Sequence, residues 1–189
     1  MTLSHCGMDF GTSNSTVAVA DNGVPALLPL EEGRPTLPSA IFFSFEENAA
    51  FFGRRAMAEY VTGADGRLMR SLKSVLGTAL FNDTTRVKQR AMAFGEIVGL
   101  FIGELKRNAE AASARGFDAV VCGRPVRFVD DDDAADAAAQ IQLEAAVRSQ
   151  GFRHVEFQFE PIAAALDYER QVSREELAVV ADIGGNRHF

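Results

Sequence analysis

Tryptophan is absent from this 189-residue chain, and tyrosine and cysteine each occur twice. The two cysteines, Cys6 and Cys122, sit in apolar runs with no CxxC partner. That argues against a disulfide framework or a zinc ribbon, and the pair reads as buried, reduced thiols of a cytosolic protein. No basic segment leads into an apolar one at the N-terminus, and no apolar run approaches the roughly 18 residues of a membrane helix. The chain therefore reads as cytoplasmic, without a membrane partner. Its 19 lysines and arginines are scattered and outnumbered by 26 acids, for a net charge of −7. A nucleic-acid partner has no clustered basic face to meet. What remains is ordinary: 47% hydrophobic and 24% charged residues, enough for one sizeable domain or two small ones.

Residues 3–10 and 16–20 read as strands joined by a glycine-containing turn. Asp21-Asn22-Gly23 is a hairpin signal, and residues 24–30 supply a third strand, so the chain opens as an antiparallel meander. A further β-like run covers 40–45. Beyond Gly53 the period turns helical. Residues 54–61 and 67–76 are predicted short helices, and 86–115 the longest, with Ile97, Phe101, Ile102 and Leu105 on one face and Gly116 ending it. Strands at 117–123, 154–160 and 177–185 then alternate with helices at 134–150 and 161–168. The four aspartates Asp130–Asp133 read as acids attracted to a helix N-terminus rather than as a metal patch. The sum is an α/β layered architecture with no internal repeat and no clean domain boundary.

Chemistry concentrates where strands end. The first strand runs to Asp9, and Gly11-Thr12-Ser13-Asn14 turns the chain back. Glycine permits close approach of backbone to ligand, successive turn N–H groups make a concave anion site, and the hydroxyls of Thr12 and Ser13 add donors. Asp9 is suited to hold a hydrated magnesium ion. A plain hairpin with local side-chain turn bonds is the other reading. Asp182-Ile183-Gly184-Gly185 repeats the strand, acid and glycine pattern, and two such turns are what a phosphate held between loops requires. Glu160 stands at a strand–helix junction with Pro161 at the first helical position, where a carboxylate orients water or merely starts a helix. Lys73, taken alone, reads as a solvated charge.

The segments "DFGTSNSTVAVADNG", "LKSVLG", "VVCGRPVRF", "FEPIAAALDY" and "VVADIGG", in this order, resemble the ATPase domain of the seventy-kilodalton heat-shock chaperones, the DnaK-type family. That family lies within the actin, sugar-kinase and heat-shock ATPase superfamily. The "GRP" and "FEPIAAALDYE" runs are similar to its divergent YegD-type members. The resemblance covers essentially the whole chain to Gly185. It implies a ribonuclease H-like, actin-type ATPase lobe with a mixed five-stranded sheet, in β-β-β-α-β-α-β order, and flanking helices. It also implies an inserted helical/β subdomain within about 31–115, a return to the core sheet over 116–185, and a divergent tail at 186–189. By residue, it assigns Asp9 and Asp182 to magnesium through water. Gly11, Thr12, Ser13, Asn14, Gly184 and Gly185 are assigned to nucleotide phosphate, and Lys73 and Glu160 to catalysis. The implied cofactor is ATP or ADP with magnesium, the reaction phosphoryl transfer to water, and the partners unfolded polypeptides and co-chaperones.

The second phosphate loop departs from the family pattern. A third glycine and a threonine are expected after Gly185, and Asn186-Arg187-His188-Phe189 stands there instead. Loss of two bases beside Gly185 would produce such a break, and the downstream reading frame tests it. The second lobe and peptide-binding domain are expected to be absent, leaving a truncated lobe that self-associates through its exposed interface. Two alternatives stay open: an inactive remnant or interaction module without useful ATP affinity, and an actin-like or sugar-kinase-type protein, against which Lys73 and the Glu160-Pro161 helix start argue.

Overall fold

Along β1 (His5–Phe10) side chains alternate, with Cys6, Met8 and Phe10 buried and His5 and Asp9 exposed. That period of two sets one face of the strand on the core. The structure, a computed structural model, describes residues 4–21, 23–172 and 179. β2 (Asn14–Asp21) and β3 (Val24–Leu27) continue the antiparallel meander, with Asp9 opposite Thr16 and Asp21 opposite Val24. Gly23 takes a φ of 79° in the connecting turn, the left-handed region that glycine enters without a Cβ clash. β4 (Thr36–Pro38) adds to β2 beside the first turn, with Leu37 opposite Ser15.

A second, three-stranded sheet follows, ordered β6 (Ala49–Phe52), β5 (Ala40–Ser44), β7 (Gly66–Arg70), with α1 (Gly53–Val61) beside it. Ala40, Phe42, Phe51 and Ala56 form its own small core. A hairpin of β8 (Thr84–Val87) and β9 (Arg90–Ala93) leads into α2 (Phe94–Ser113). β10 (Ala119–Arg124), α3 (Asp133–Ser149), β11 (His154–Phe159) and α4 (Glu160–Glu169) complete the described chain.

The main sheet is ordered β11-β10-β1-β2-β3, with β4 on β2, which makes six strands among the described residues. β10 lies parallel to β1 and β11 parallel to β10, so the sheet is mixed and flanked by helices, an α/β architecture. Its core face meets α2, whose Ile97, Val98, Phe101, Ile102 and Leu105 are all fully buried. Burial of each such side chain contributes roughly 1.5–3 kcal/mol. Phe10 and Phe101 join the layers, ring centroids 5.8 Å apart.

Three expectations need correction. Residues 67–76 are not one helix: 67–70 belong to β7, Ser71 turns with φ 54°, and Leu72–Val75 form a short 3₁₀ turn. Met69, Leu72 and Leu76 mimic helical spacing because a strand and a turn bury them in the same core. The long helix starts at Phe94 rather than 86, since 84–93 close a hairpin that buries Val87 and Met92. It ends on Ala114, at φ 54°, two residues before Gly116. β4 was not foreseen, being short and carrying proline. The predicted strand at 177–185 lies outside the described residues. Cys6 and Cys122 are both buried and free, and no helix among the described residues is long and apolar enough to cross a membrane.

Candidate active site

Asp9 reaches the carboxyl end of β1, on the face turned away from α2, because Met8 and Phe10 occupy the core face. Open α/β sheets bind ligands beyond the carboxyl ends of their parallel strands. A cleft of about 320 Å³ opens there, lined by Asp9, Thr16, Gly123, Gln158, Glu160 and Ala163 among others. Its floor is low because Gly7, Ala18 and Gly123 offer little or no side chain. At Gly123 a Cβ would lie 3.3 Å from Glu160 Cγ, so this glycine leaves the room in which the Glu160 side chain rests over β10.

The turn after Asp9 is tight. A Cβ on Gly11 would collide with the Asn14 carbonyl oxygen, so glycine is required there by close approach rather than by φ. Thr12 is half-buried, and Ser13 and Asn14 are exposed. Two buried serines, at 0% and 2% exposure, hold the turn from behind. Ser39 Oγ donates to the Gly11 carbonyl at 2.7 Å and lies 3.0 Å from Ser15 Oγ, while the Ser39 N–H donates to the Ser13 carbonyl at 2.9 Å. Neither serine stood out in the sequence. A hydroxyl in "TLPSA" looks like any loop serine until the fold buries it.

Lys73 and Glu160, 87 positions apart, meet. Lys73 Nζ donates to Glu160 Oε1 at 2.7 Å, with side-chain exposures of 12% and 21%. The 3₁₀ turn supplies Lys73, and the first residue of α4 supplies Glu160. Neither is a freely solvated charge. Lys73 Nζ also sits 5.9 Å from the centre of the Phe128 ring.

Arg124, a third residue missed from sequence, ends β10 and reaches back to α3. It donates to Asp136 Oδ2 at 2.9 Å and also bonds Gln140. Burial alone would raise the Asp136 pKa, but the Phe128 N–H, at 2.6 Å, and the Arg124 guanidinium outweigh it and hold the carboxyl below its ordinary value. The aspartate run acts as a helix start: Asp132 caps α3, accepting from Ala135 N–H at 2.9 Å. Burial raises the Cys6 and Cys122 thiols to about 12, which leaves them inert. No cluster of three or more His, Cys, Asp or Glu among the described residues is arranged to hold a metal ion directly. Asp182, Gly184 and Gly185 lie outside the described residues, so nothing places them beside Asp9.

Asp9 and Glu160, with its partner Lys73, thus stand at one cleft of a mixed α/β sheet. The Hsp70 protein family model matches residues 5–97, the segment that holds Asp9, the 11–14 turn and Lys73. The chaperone protein DnaK of Mycoplasmopsis agalactiae (strain NCTC 10123 / CIP 59.7 / PG2) is 31% identical over 180 residues, covering 95% of this chain and 28% of that protein. The chain belongs to the DnaK-type Hsp70 family, and it spans just over a quarter of the length of this curated relative.

Proposed function

We propose that this chain is the first lobe of a heat-shock-type chaperone ATPase, of ribonuclease H-like, actin-type fold, in which residues 31–115 include an inserted subdomain. The observation that carries the reading is the 2.7 Å Lys73–Glu160 pair beside the cleft that Asp9 lines. A lysine and a glutamate so distant in sequence, half-buried together at the carboxyl ends of parallel strands, fit phosphoryl transfer better than a surface ion pair. The residues fit a magnesium nucleotide. The 11–14 turn, closed tightly on Gly11 by the Asn14 carbonyl, has N–H groups and hydroxyls suited to phosphate, and the separated acids suit a hydrated cation better than a directly ligated one. Bound ATP with magnesium would supply the phosphoryl group and neutralise its developing charge.

The chain's own residues do the rest. N–H groups and hydroxyls of 11–14 would hold phosphate oxygens, and Gly184 and Gly185, outside the described residues, would serve the same phosphate. Asp9 and Asp182 would hold the cation through water. Lys73 would draw the transferring group and the attacking water, and Glu160 would orient that water and accept its proton. Unfolded polypeptides and co-chaperones are the partners of the whole protein on this reading, and the cytoplasm its location.

A second reading rests on α4, which buries no residue and exposes Ile162 by 47% and Leu166 by 50%. On this reading the lobe alone would bind ATP weakly and self-associate through this face. Titration calorimetry of the full chain with ATP and magnesium separates the two readings. A micromolar affinity that Asp9→Asn lowers at least tenfold supports a retained site. No binding below the millimolar range refutes it and leaves the inactive or purely interacting lobe.

A further inference from the structure

We propose that Arg124 is a positioning residue for the Lys73–Glu160 pair, acting through two phenylalanines that the pair flanks. The inference rests on the reading of that pair as catalytic. The guanidinium is anchored on one side to α3, through Asp136 Oδ2 at 2.9 Å and Gln140 Oε1, and donates to the carbonyls of Pro125 at 3.1 Å and Val126 at 3.3 Å in the loop just after β10. With five N–H donors in a rigid fork, arginine is the side chain suited to such an anchor. Its carbon centre lies 5.1 Å from the centre of the Phe128 ring and 5.1 Å from that of Phe159.

Each ring is tied to one member of the pair. Phe128 lies 5.9 Å from Lys73 Nζ, and its own backbone N–H donates to Asp136 Oδ1 at 2.6 Å, so Asp136 fixes both Arg124 and the loop that carries the ring. Phe159 immediately precedes Glu160 and caps α4 with an extended φ of −63° and ψ of 128°, without a side-chain capping bond. The cap has no side-chain hydrogen bond, and β11 pairs in parallel with β10 so that Phe159 stands opposite Arg124, where the guanidinium on its ring adds a restraint at the start of α4. Arg124 is itself only 12% exposed, which limits the water that would weaken its cation–π attraction, while Phe159 keeps 38% of its surface open. The relay therefore runs from α3 through Arg124 to both rings, and from the rings to the ammonium and the carboxylate. A simple staple between α3 and β10 would require Asp136 and Gln140 but neither phenylalanine.

The test reads Lys73 itself and needs no bound nucleotide. The full chain is treated at pH 8 with an amine-acetylating ester, and acetylation of each lysine is followed by mass spectrometry. Lys106, which donates to Gln150 and lies over Phe152, serves as the internal reference for folding. With Arg124→Met the acetylation rate of Lys73 is expected to rise about fivefold, the size of one lost cation–π and aromatic restraint, while Lys106 stays constant. If Lys106 rises as well, the variant has lost its fold. Asp136→Asn, which keeps the side-chain shape and removes the charged partner of the guanidinium, then takes its place with the same expectation. A Lys73 rate within about twofold of the parent, in either variant with Lys106 unchanged, overturns the proposal. Protection of Lys73 by ATP and magnesium in the parent chain is scored separately. Its absence counts against the nucleotide reading and leaves the Arg124 result intact.

Discussion

Replacing Ser39 by alanine tests how the first turn is held. In the folded chain this hydroxyl is 2% exposed, donates to Gly11 O at 2.7 Å and shares a 3.0 Å bond with the fully buried Ser15. Ser39→Ala removes no packing volume beyond one oxygen. It leaves the half-buried Gly11 carbonyl and the fully buried Ser15 hydroxyl each short of a partner. Net hydrogen-bond contributions are about 1 kcal/mol, and a stranded buried polar group costs about 1–3 kcal/mol, so a loss of about 2 kcal/mol is expected. For a chain of this size that lowers the melting temperature by roughly 4–8 °C. Ser15→Ala has the same expected sign, and the double variant should lose less than the sum of the two, because the second substitution removes an already stranded group. Denaturant unfolding of the four proteins gives the cycle. Additive losses, or a single-variant loss under about 0.5 kcal/mol, would refute the view that the serines act as one unit behind the turn.

Two further outcomes follow from the same geometry. Gly77 has a φ of 76°, and a Cβ there would lie 2.7 Å from the Ala135 carbonyl, so Gly77→Ala should cost roughly 2–4 kcal/mol by chemical denaturation. Gly63, at φ 75° but facing open space, should cost only about 1 kcal/mol, and equal losses would show that backbone strain alone decides both. Burial lifts both cysteine thiols to about 12, so the folded chain keeps protons that an unfolded chain releases above pH of about 8.5. Their contribution to stability is complete below that pH and declines as pH rises toward 12, and a Cys6→Ala/Cys122→Ala chain whose stability falls as steeply between pH 8 and 10 would contradict this.

The correct and incorrect sequence readings divide by the range of the interaction. The meander, the residue 133–149 helix and the strands on either side of it were legible because alternation, turn chemistry and capping act over a few residues. Residues 67–76 misled because burial spaced like a helix is also produced by a strand followed by a turn. Only pairing of Met69 with Ile41 on β5 distinguishes the two. Residues 86–93 misled similarly, since a short hairpin preceding a helix extends its apolar pattern backward.

Order along the chain was enough to nominate Asp9, the Gly11–Asn14 turn, Lys73 and Glu160, since local motifs and family resemblance both live in sequence. Whether Lys73 and Glu160 touch was beyond reach, because no local rule relates residues 87 positions apart. Parallel pairing of β10 with β11 carries Glu160 to the same edge as Asp9, and the Ser71 turn swings Lys73 onto it. Ser15, Ser39 and Arg124 emerged from tertiary structure alone. A hydroxyl or a guanidinium gains its role from what buries it, and burial is a property of the assembled layers.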